Sequence, residues 1–265
     1  MNIKNKLFNI AYAAAVHAGN EIMDIYKLPV EVSYKVDSSP ITTADIQSNK
    51  IIRSYLSKTN IPILSEEDKS TNYEERRNWN KFWMVDPIDG TKEFINKNGE
   101  FTVNIALIED GIPIIGVVYA PVINHLYFAV KGLGSFKYID TADIIDLKDL
   151  INKSLCLNRT SIKKPQIIKI AVSKSHLSQK TRDFINKISL KNKIELIQKG
   201  SSLKLCLVAD GSANIYPRLS PTMEWDIAAG HAVCLYAGYN VYSQKDKKQL
   251  RYNKKSLIND EFIVK

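Results

Sequence analysis

The sequence predicts an α/β-type layered sandwich: an N-terminal α+β half built on an antiparallel sheet, and a C-terminal α/β half. Three observations point there. Residues 4–28 and 41–56 carry apolar side chains at helical spacing. Between 101 and 139, apolar runs are divided by short turn signals, as in a meander of strands. From about residue 155, strand and helix patterns alternate, as α/β units do. With 265 residues, 45% of them hydrophobic and 25% charged, the chain can bury the core such a fold needs and does not have a disordered composition.

The elements follow in order. Leu7, Ile10, Ala14, Ala18 and Ile22 set the period of a first helix over 4–28, ended near Pro29. In "SPITTADIQSNKIIRSYL", Thr42 or Thr43 is the expected N-cap, with Ile46, Lys50, Ile51 and Tyr55 marking helical turns. "IPILSEED" (61–68) is a short strand ending in acids, and "KFWMV" (81–85) is a second. "FTVNIALIED" turns at Asp110-Gly111 into "IPIIGVVYAPV", and "HLYFAV" and "GSFKYI" complete an antiparallel meander. After a polar boundary around 140–154 come "IIKIAVS" (strand), "SQKTRDFINKIS" (helix), "KIELI" (strand), "SSLKLCLVAD" (helix), "SANIYP" (strand) and "EWDIAAGHAVCLYAG" (helix). The expected organisation is therefore 1–150, with the sheet, and 151–265, with the α/β units.

Composition narrows the function. No apolar stretch reaches the roughly 20 residues that span a bilayer. The first segment, interrupted by Asn9 and His17, reads as an amphipathic helix rather than a secretory leader. Cys156, Cys206 and Cys234 are odd in number, widely spaced and set among apolar neighbours, so they read as reduced core residues, not as a disulfide framework or metal knot. The net charge of +9 comes from scattered lysines without a run of like charges. That favours a composition bias over a polyanion-binding surface, although it helps recruit a small, highly charged substrate.

The chemistry centres on "WMVDPIDGTKEF" (83–94). Pro87 fixes its own φ and biases Asp86 towards extended backbone. The carboxylates of Asp86 and Asp89 can then converge on one side, with the Ile88 carbonyl between them turned inward. Oxygen-only donors of this kind suit Mg²⁺ or Mn²⁺ rather than zinc. Gly90 permits close backbone approach, and the Gly90 and Thr91 N–H groups can cradle a phosphate. Asp-Pro-x-Asp-Gly is also ordinary turn chemistry. Two further acidic segments tilt the balance: "LSEED" ends a strand in Glu66, Glu67 and Asp68, and "EWDIAAG" places Asp226 at the start of an apolar helix. Phosphatases of the haloacid dehalogenase type use Asp-x-Asp-x-Thr with an aspartate nucleophile. Here two residues separate the acids, the spacing of joint metal ligands.

"LSEED", "WMVDPIDGTKEF" and "EWDIAAGHAV", in this order, resemble the signature segments of the inositol monophosphatase superfamily of metal-dependent, lithium-sensitive phosphatases. "SSPITTAD", "GSSLKLCLVADG" and "IYPRLSPTMEWD" extend the resemblance across nearly the whole chain, towards the bisphosphate nucleotidase branch. It implies a layered αβαβα sandwich like that of fructose-1,6-bisphosphatase, and two to three Mg²⁺ ions per site. Glu66, Asp86 and the Ile88 carbonyl would hold the first ion, Asp86, Asp89 and Asp226 the second, and Glu66 with Glu67 a looser third. Thr91 and Asp45 would be the hydrogen-bonded pair that helps deprotonate the attacking water, with Glu66 also catalytic. The substrate would meet Glu66, Ile88, Asp89, Gly90, Thr91 and Asp226, together with Lys92, Ser201 and Lys204, with Arg218 as a candidate for a second phosphate. A solvated helix lysine is the alternative for Lys204, and a surface role for Arg218. His176 resembles a nucleotide-contacting position, or is a helix cap. His231, on the helix of Asp226, is a candidate support for the site, and His17 and His125 show no supporting neighbours.

The implied reaction is hydrolysis of the 3′-phosphate of adenosine 3′,5′-bisphosphate to AMP, in sulfate assimilation. Inositol monophosphate hydrolysis is the alternative within the enzyme class, and a basic nucleic-acid-binding protein on a degenerate phosphatase fold is the alternative outside it. Nucleic acid is not expected as a partner. The resemblance further implies a cytoplasmic protein, and leaves open both its oligomeric state and a peripheral attachment to the inner face of the membrane.

Overall fold

The computed structural model describes residues 3–30, 32–35, 40–68, 71–140, 144–159, 165–174 and 177–265. Helix α1 (Ile3–Tyr26) buries Phe8, Ala11, Ala15, Ala18 and Ile22 along one face. A hairpin of β1 (Val32–Tyr34) and β2 (Pro40–Thr42) leads into α2 (Thr43–Leu56), whose N-cap is Thr42. Then come β3 (Ile63–Ser65), the short α3 (Tyr73–Arg76), β4 (Lys81–Asp89) and the short α4 (Thr91–Ile95). Strands β5 (Thr102–Glu109), β6 (Ile112–Ala120), β7 (His125–Val130) and β8 (Gly134–Ile139) form the expected meander. Helix α5 (Leu147–Lys153) and strand β9 (Leu155–Leu157) follow it. The sheet runs β3-β4-β5-β6-β7-β8-β9, antiparallel except for the parallel pair β3–β4.

Beyond the sheet, β10 (Ile167–Ser173), α6 (Gln179–Ser189) and β11 (Lys193–Lys199) make a parallel strand pair with its crossover helix. Helix α7 (Leu203–Ala209), strand β12 (Tyr216–Arg218) and helix α8 (Glu224–Tyr236) come next. The last strands, β13 (Val241–Ser243) and β14 (Phe262–Val264), pair with β12 in the order β12-β14-β13.

Side chains that alternate along the central strands divide into two cores. Trp83, Val85, Ile105, Leu107 and Val117 face α1 and α2. Phe82, Met84, Ala106, Ile108 and Val118 face α7 and α8. Ile170 and Val172 of β10 pack separately with Ile185 of α6. Helices, large sheet, helices, small sheets and helix thus stack as αβαβα. A sheet covered on both faces explains why its strands read as continuous apolar runs.

Helix α8 lies close to the sheet. A Cβ built on Gly116 of β6 would come within 2.4 Å of the Ala229 carbonyl and 2.6 Å of Ala232 Cβ. Gly116→Ala is therefore expected to destabilise the fold by about 1–3 kcal/mol through overpacking, read from denaturant unfolding. Wild-type stability in this variant would show that α8 is free to shift.

Some expectations change. Strand β4 does not stop at Val85 but continues to Asp89 through an irregularity between Asp86 and Asp89. Pro87, which has no N–H to give, sits where the ladder is already broken. Both residues of the Asp110-Gly111 turn have positive φ, as the expected tight hairpin requires. Cys206 and Cys234 are buried, whereas Cys156 is exposed on edge strand β9 rather than in a core. His17 has a partner after all, the Tyr55 hydroxyl at 2.8 Å. Its ring stacks on that of Tyr55, and His125 meets Tyr127 edge-on.

Candidate active site

Acids from three elements converge at one end of the sheet. Glu66 follows β3, Asp86 lies in β4, and Asp226 occupies the first turn of α8. One carboxylate oxygen from each lies within 4.8 Å of the other two. Parallel pairing of β3 with β4 sets Glu66 beside Asp86, and the Glu66 N–H donates to the Val85 carbonyl at 3.1 Å. Asp226 is fixed by the Met223 N–H, which donates to its carboxylate at 2.9 Å. Asp45 is held alike at the start of α2, accepting from the Thr42 N–H at 2.7 Å. Both are third-position helix acids that satisfy a backbone donor and stabilise a helix N-terminus.

Burial raises Asp86 well above the usual carboxylate range, and the charges of Glu66, Asp89 and Asp226 raise it further. Desolvation, then Asp89, raises Asp226 in the same way. Asp89 is pushed up to about 6 by desolvation, against the opposing pull of Lys204. An oxygen-only group that repels itself in this manner lacks positive charge at its centre. These residues fit a hard divalent cation.

Asp89 stands outside the three-acid group and lines the adjoining cavity, about 190 Å³ in volume, together with Asp226. Asn104 reaches the Asp89 carboxylate at 3.5 Å, and Ser202 holds Asn104 through its side-chain oxygen at 2.9 Å. The Thr91 hydroxyl donates to Asp45 Oδ1 at 3.1 Å and stands 3.5 Å from the Ile88 carbonyl. Gly90, at φ 101°, takes a left-handed conformation that allows the chain to turn from β4 into α4.

Lys92, Ser201, Lys204 and Arg218 line the same cavity. Lys204 is only 4% exposed and is no solvated lysine. Its ammonium donates to the carbonyls of Ser201 at 2.6 Å and Lys199 at 3.2 Å, and burial pushes it down to about 8 while Asp89 pulls it upward. Arg218 is half-buried. Its Nη2 donates to the Pro221 carbonyl at 3.1 Å, and its buried Nε has no hydrogen-bond partner among the described residues. His231 does not support Asp226: five residues on, it faces about 140° away. It meets Tyr252 at 2.8 Å and Gln249 at 3.0 Å, neutral at ordinary pH because burial pushes it down to about 3. His176 lies outside the described residues.

Several participants left no trace in the sequence. Lys35, just past β1, donates to Glu66 at 2.8 Å and Glu67 at 2.7 Å. Tyr216 closes the cavity beside Lys204 and Arg218. Glu224, fully buried, accepts from the backbone of Asn253 and Lys254, and so locks the start of α8 in place. All three depend on partners distant in sequence, and only chance residue type could have marked them.

An αβαβα sandwich whose strand and helix ends gather carboxylates beside a cavity that also holds Lys92, Lys204 and Arg218 fits the class of metal-dependent phosphatases. The chain belongs to the inositol monophosphatase family, which it matches over residues 4–262. Members of that family depend on metal, generally Mg²⁺. The 3′(2′),5′-bisphosphate nucleotidase CysQ of Shigella flexneri is 40% identical over 254 residues, covering 94% of this chain and 96% of that protein. Its counterpart from Buchnera aphidicola is 42% identical over 244 residues, covering 91% and 85%. The crystal structure of CysQ from Bacteroides thetaiotaomicron superposes with a TM-score of 0.87 at 44% identity, over 96% of this chain and 95% of that one. Among the described residues, no helix is long and apolar enough to cross a membrane.

Proposed function

We propose that this chain is a Mg²⁺-dependent 3′(2′),5′-bisphosphate nucleotidase that hydrolyses the 3′-phosphate of adenosine 3′,5′-bisphosphate to AMP and phosphate. The observation that carries this reading is the placement of buried Lys204 and the unsatisfied Arg218 Nε in one cavity with Asp89 and Asp226. A substrate with one phosphate leaves those two cations unused. A bisphosphate presents a second anion for them.

Glu66, Asp86 and the Ile88 carbonyl would hold one ion, and Asp86, Asp89 and Asp226 a second. Bound divalent ions supply Lewis-acid activation and neutralise charge on the phosphoryl oxygens. The protein positions and moves the proton. Thr91 Oγ accepts a proton from the attacking water as it passes its own to Asp45 Oδ1. Burial raises Asp45, against the hydrogen bonds from Thr42, and makes it the better base. A bond forms from water oxygen to phosphorus, and the bond from phosphorus to the 3′-oxygen breaks. The departing 3′-oxygen takes a proton from solvent water to become the hydroxyl of AMP, with inorganic phosphate as the other product.

Lys204 spends two of its three N–H donors on backbone carbonyls, leaving one to meet a phosphate. Lys204→Ala should raise KM for adenosine 3′,5′-bisphosphate by about 10–100-fold, the scale of a hydrogen bond to a charged group. Hydrolysis of a nucleoside monophosphate should change little. Measuring kcat/KM on both substrates, and on inositol monophosphate, tests the assignment. Equal loss on both nucleotides would give Lys204 a purely loop-supporting role, and preferred turnover of inositol monophosphate would overturn the nucleotidase reading.

A further inference from the structure

The ammonium of Lys35 sits where the acid cluster meets its outermost carboxylate. It bridges Glu66 Oε1 at 2.8 Å and Glu67 Oε1 at 2.7 Å, with Lys35 22% exposed and Glu67 7% exposed. Glu66 belongs at once to this pair and to the three-acid group with Asp86 and Asp226. Burial works against the Lys35 charge, but Glu66 and Glu67 outweigh it. The ammonium is therefore a committed cation, strongly held by charge-assisted hydrogen bonds.

Glu66 and Glu67 are also the acids expected to hold the loosest of the divalent ions. An ammonium less than 3 Å from Oε1 of each competes with an ion for those two carboxylates. We propose that Lys35 is a tethered competitor for that outermost ion: it neutralises Glu66 and Glu67 until a divalent cation displaces it, and so sets the metal concentration at which the outer position fills. The proposal rests on the metal-site reading above, but concerns a residue that reading does not use. The physical basis is local concentration. A cation carried on the same chain competes at an effective concentration in the millimolar range or above, whatever the bulk ionic composition. Among the described residues, Asp86, Asp89 and Asp226 make no hydrogen bond with Lys35, and Glu66 is the one acid shared between the inner group and the lysine pair.

The test is Mn²⁺ titration of the metal-free full chain, followed by electron paramagnetic resonance, for wild type, Lys35→Met and Lys35→Arg. The weakest class of bound Mn²⁺ should tighten about tenfold in Lys35→Met and remain weak in Lys35→Arg, which keeps the competing charge. The tighter class, which shares only Glu66 with Lys35, should change less than the weakest one. Thermal unfolding is the second readout. Without metal, Lys35→Met should melt about 2–4 °C below wild type, because Glu66 and Glu67 lose their counter-charge. That difference should vanish at saturating Mn²⁺, which a merely structural lysine would not produce. A variant that folds only when Mn²⁺ is added supports the proposal. One that folds in neither condition overturns it, as does an outer affinity unchanged in Lys35→Met. Wild type that binds no Mn²⁺ overturns the metal-site reading as well. Loss of bisphosphate specificity with the Lys35 effect intact overturns only the substrate assignment.

Discussion

Asp86→Asn is expected to abolish turnover without unfolding the protein. Asp86 is 1% exposed and sits in the three-acid group, and its Oδ1 accepts from the Ile88 N–H at 3.1 Å. An amide oxygen can take over that hydrogen bond, so the local turn survives. It cannot take over the charge, and with Asp86 as the proposed bridge a neutral donor there leaves both cations undercompensated. The two effects separate cleanly. In the metal-free protein, removing one of several mutually repelling carboxylates should leave the melting temperature equal to or above that of wild type. With metal, the stabilisation seen for wild type should be largely absent from the variant. Phosphate release at saturating Mg²⁺, together with melting curves at both extremes, checks the prediction. Near-normal activity would sink the assignment of Asp86 as bridge.

Thr91→Ala should slow hydrolysis by about 10²–10⁴-fold, the range typical of losing positioned acid–base help. The hydroxyl reaches Asp45 Oδ1, while Asp45 Oδ2 is already held by the Thr42 hydroxyl at 2.6 Å and N–H at 2.7 Å. Asp45 is thus oriented by Thr42, and in the proposed mechanism Thr91 links it to the water. Loss should appear in kcat, with KM and metal affinity little changed, because Thr91 is not among the proposed ligands. Thr91→Ser, which retains the hydroxyl, should recover most of the rate. A variant that fails chiefly by losing Mn²⁺ would show instead that Thr91 supports the Ile88 carbonyl, 3.5 Å away.

Much of this molecule is legible along the chain. Apolar runs divided by turn signals, the Asp110-Gly111 turn and the change to alternating strands and helices specify the layered fold, because each is a local property of consecutive residues. Glu66, Asp86 and Asp226 could be picked out for a related reason: each is an acid at or near the end of an apolar run, where burial without a cation is unfavourable. The Asp86–Asp89 irregularity was harder to see. "DPID" reads as a strand end, and only the pairing of β4 with β5 shows the strand resuming at Asp89 opposite Thr102.

What tertiary structure alone decided concerns the lysines. Lysine is by default a solvated residue, and nothing in "GSSLK" separates a buried ammonium from an exposed one. The fold buries Lys204 with its ammonium 5.6 Å from the Tyr216 ring centre, and burial pushes it down to about 8 while Asp89 pulls it upward. Lys35 is decided in the same way, by carboxylates 31 and 32 residues away. Charge and residue type are written in the sequence. Which charges face one another, and how much water is left between them, is set only when distant segments close the site.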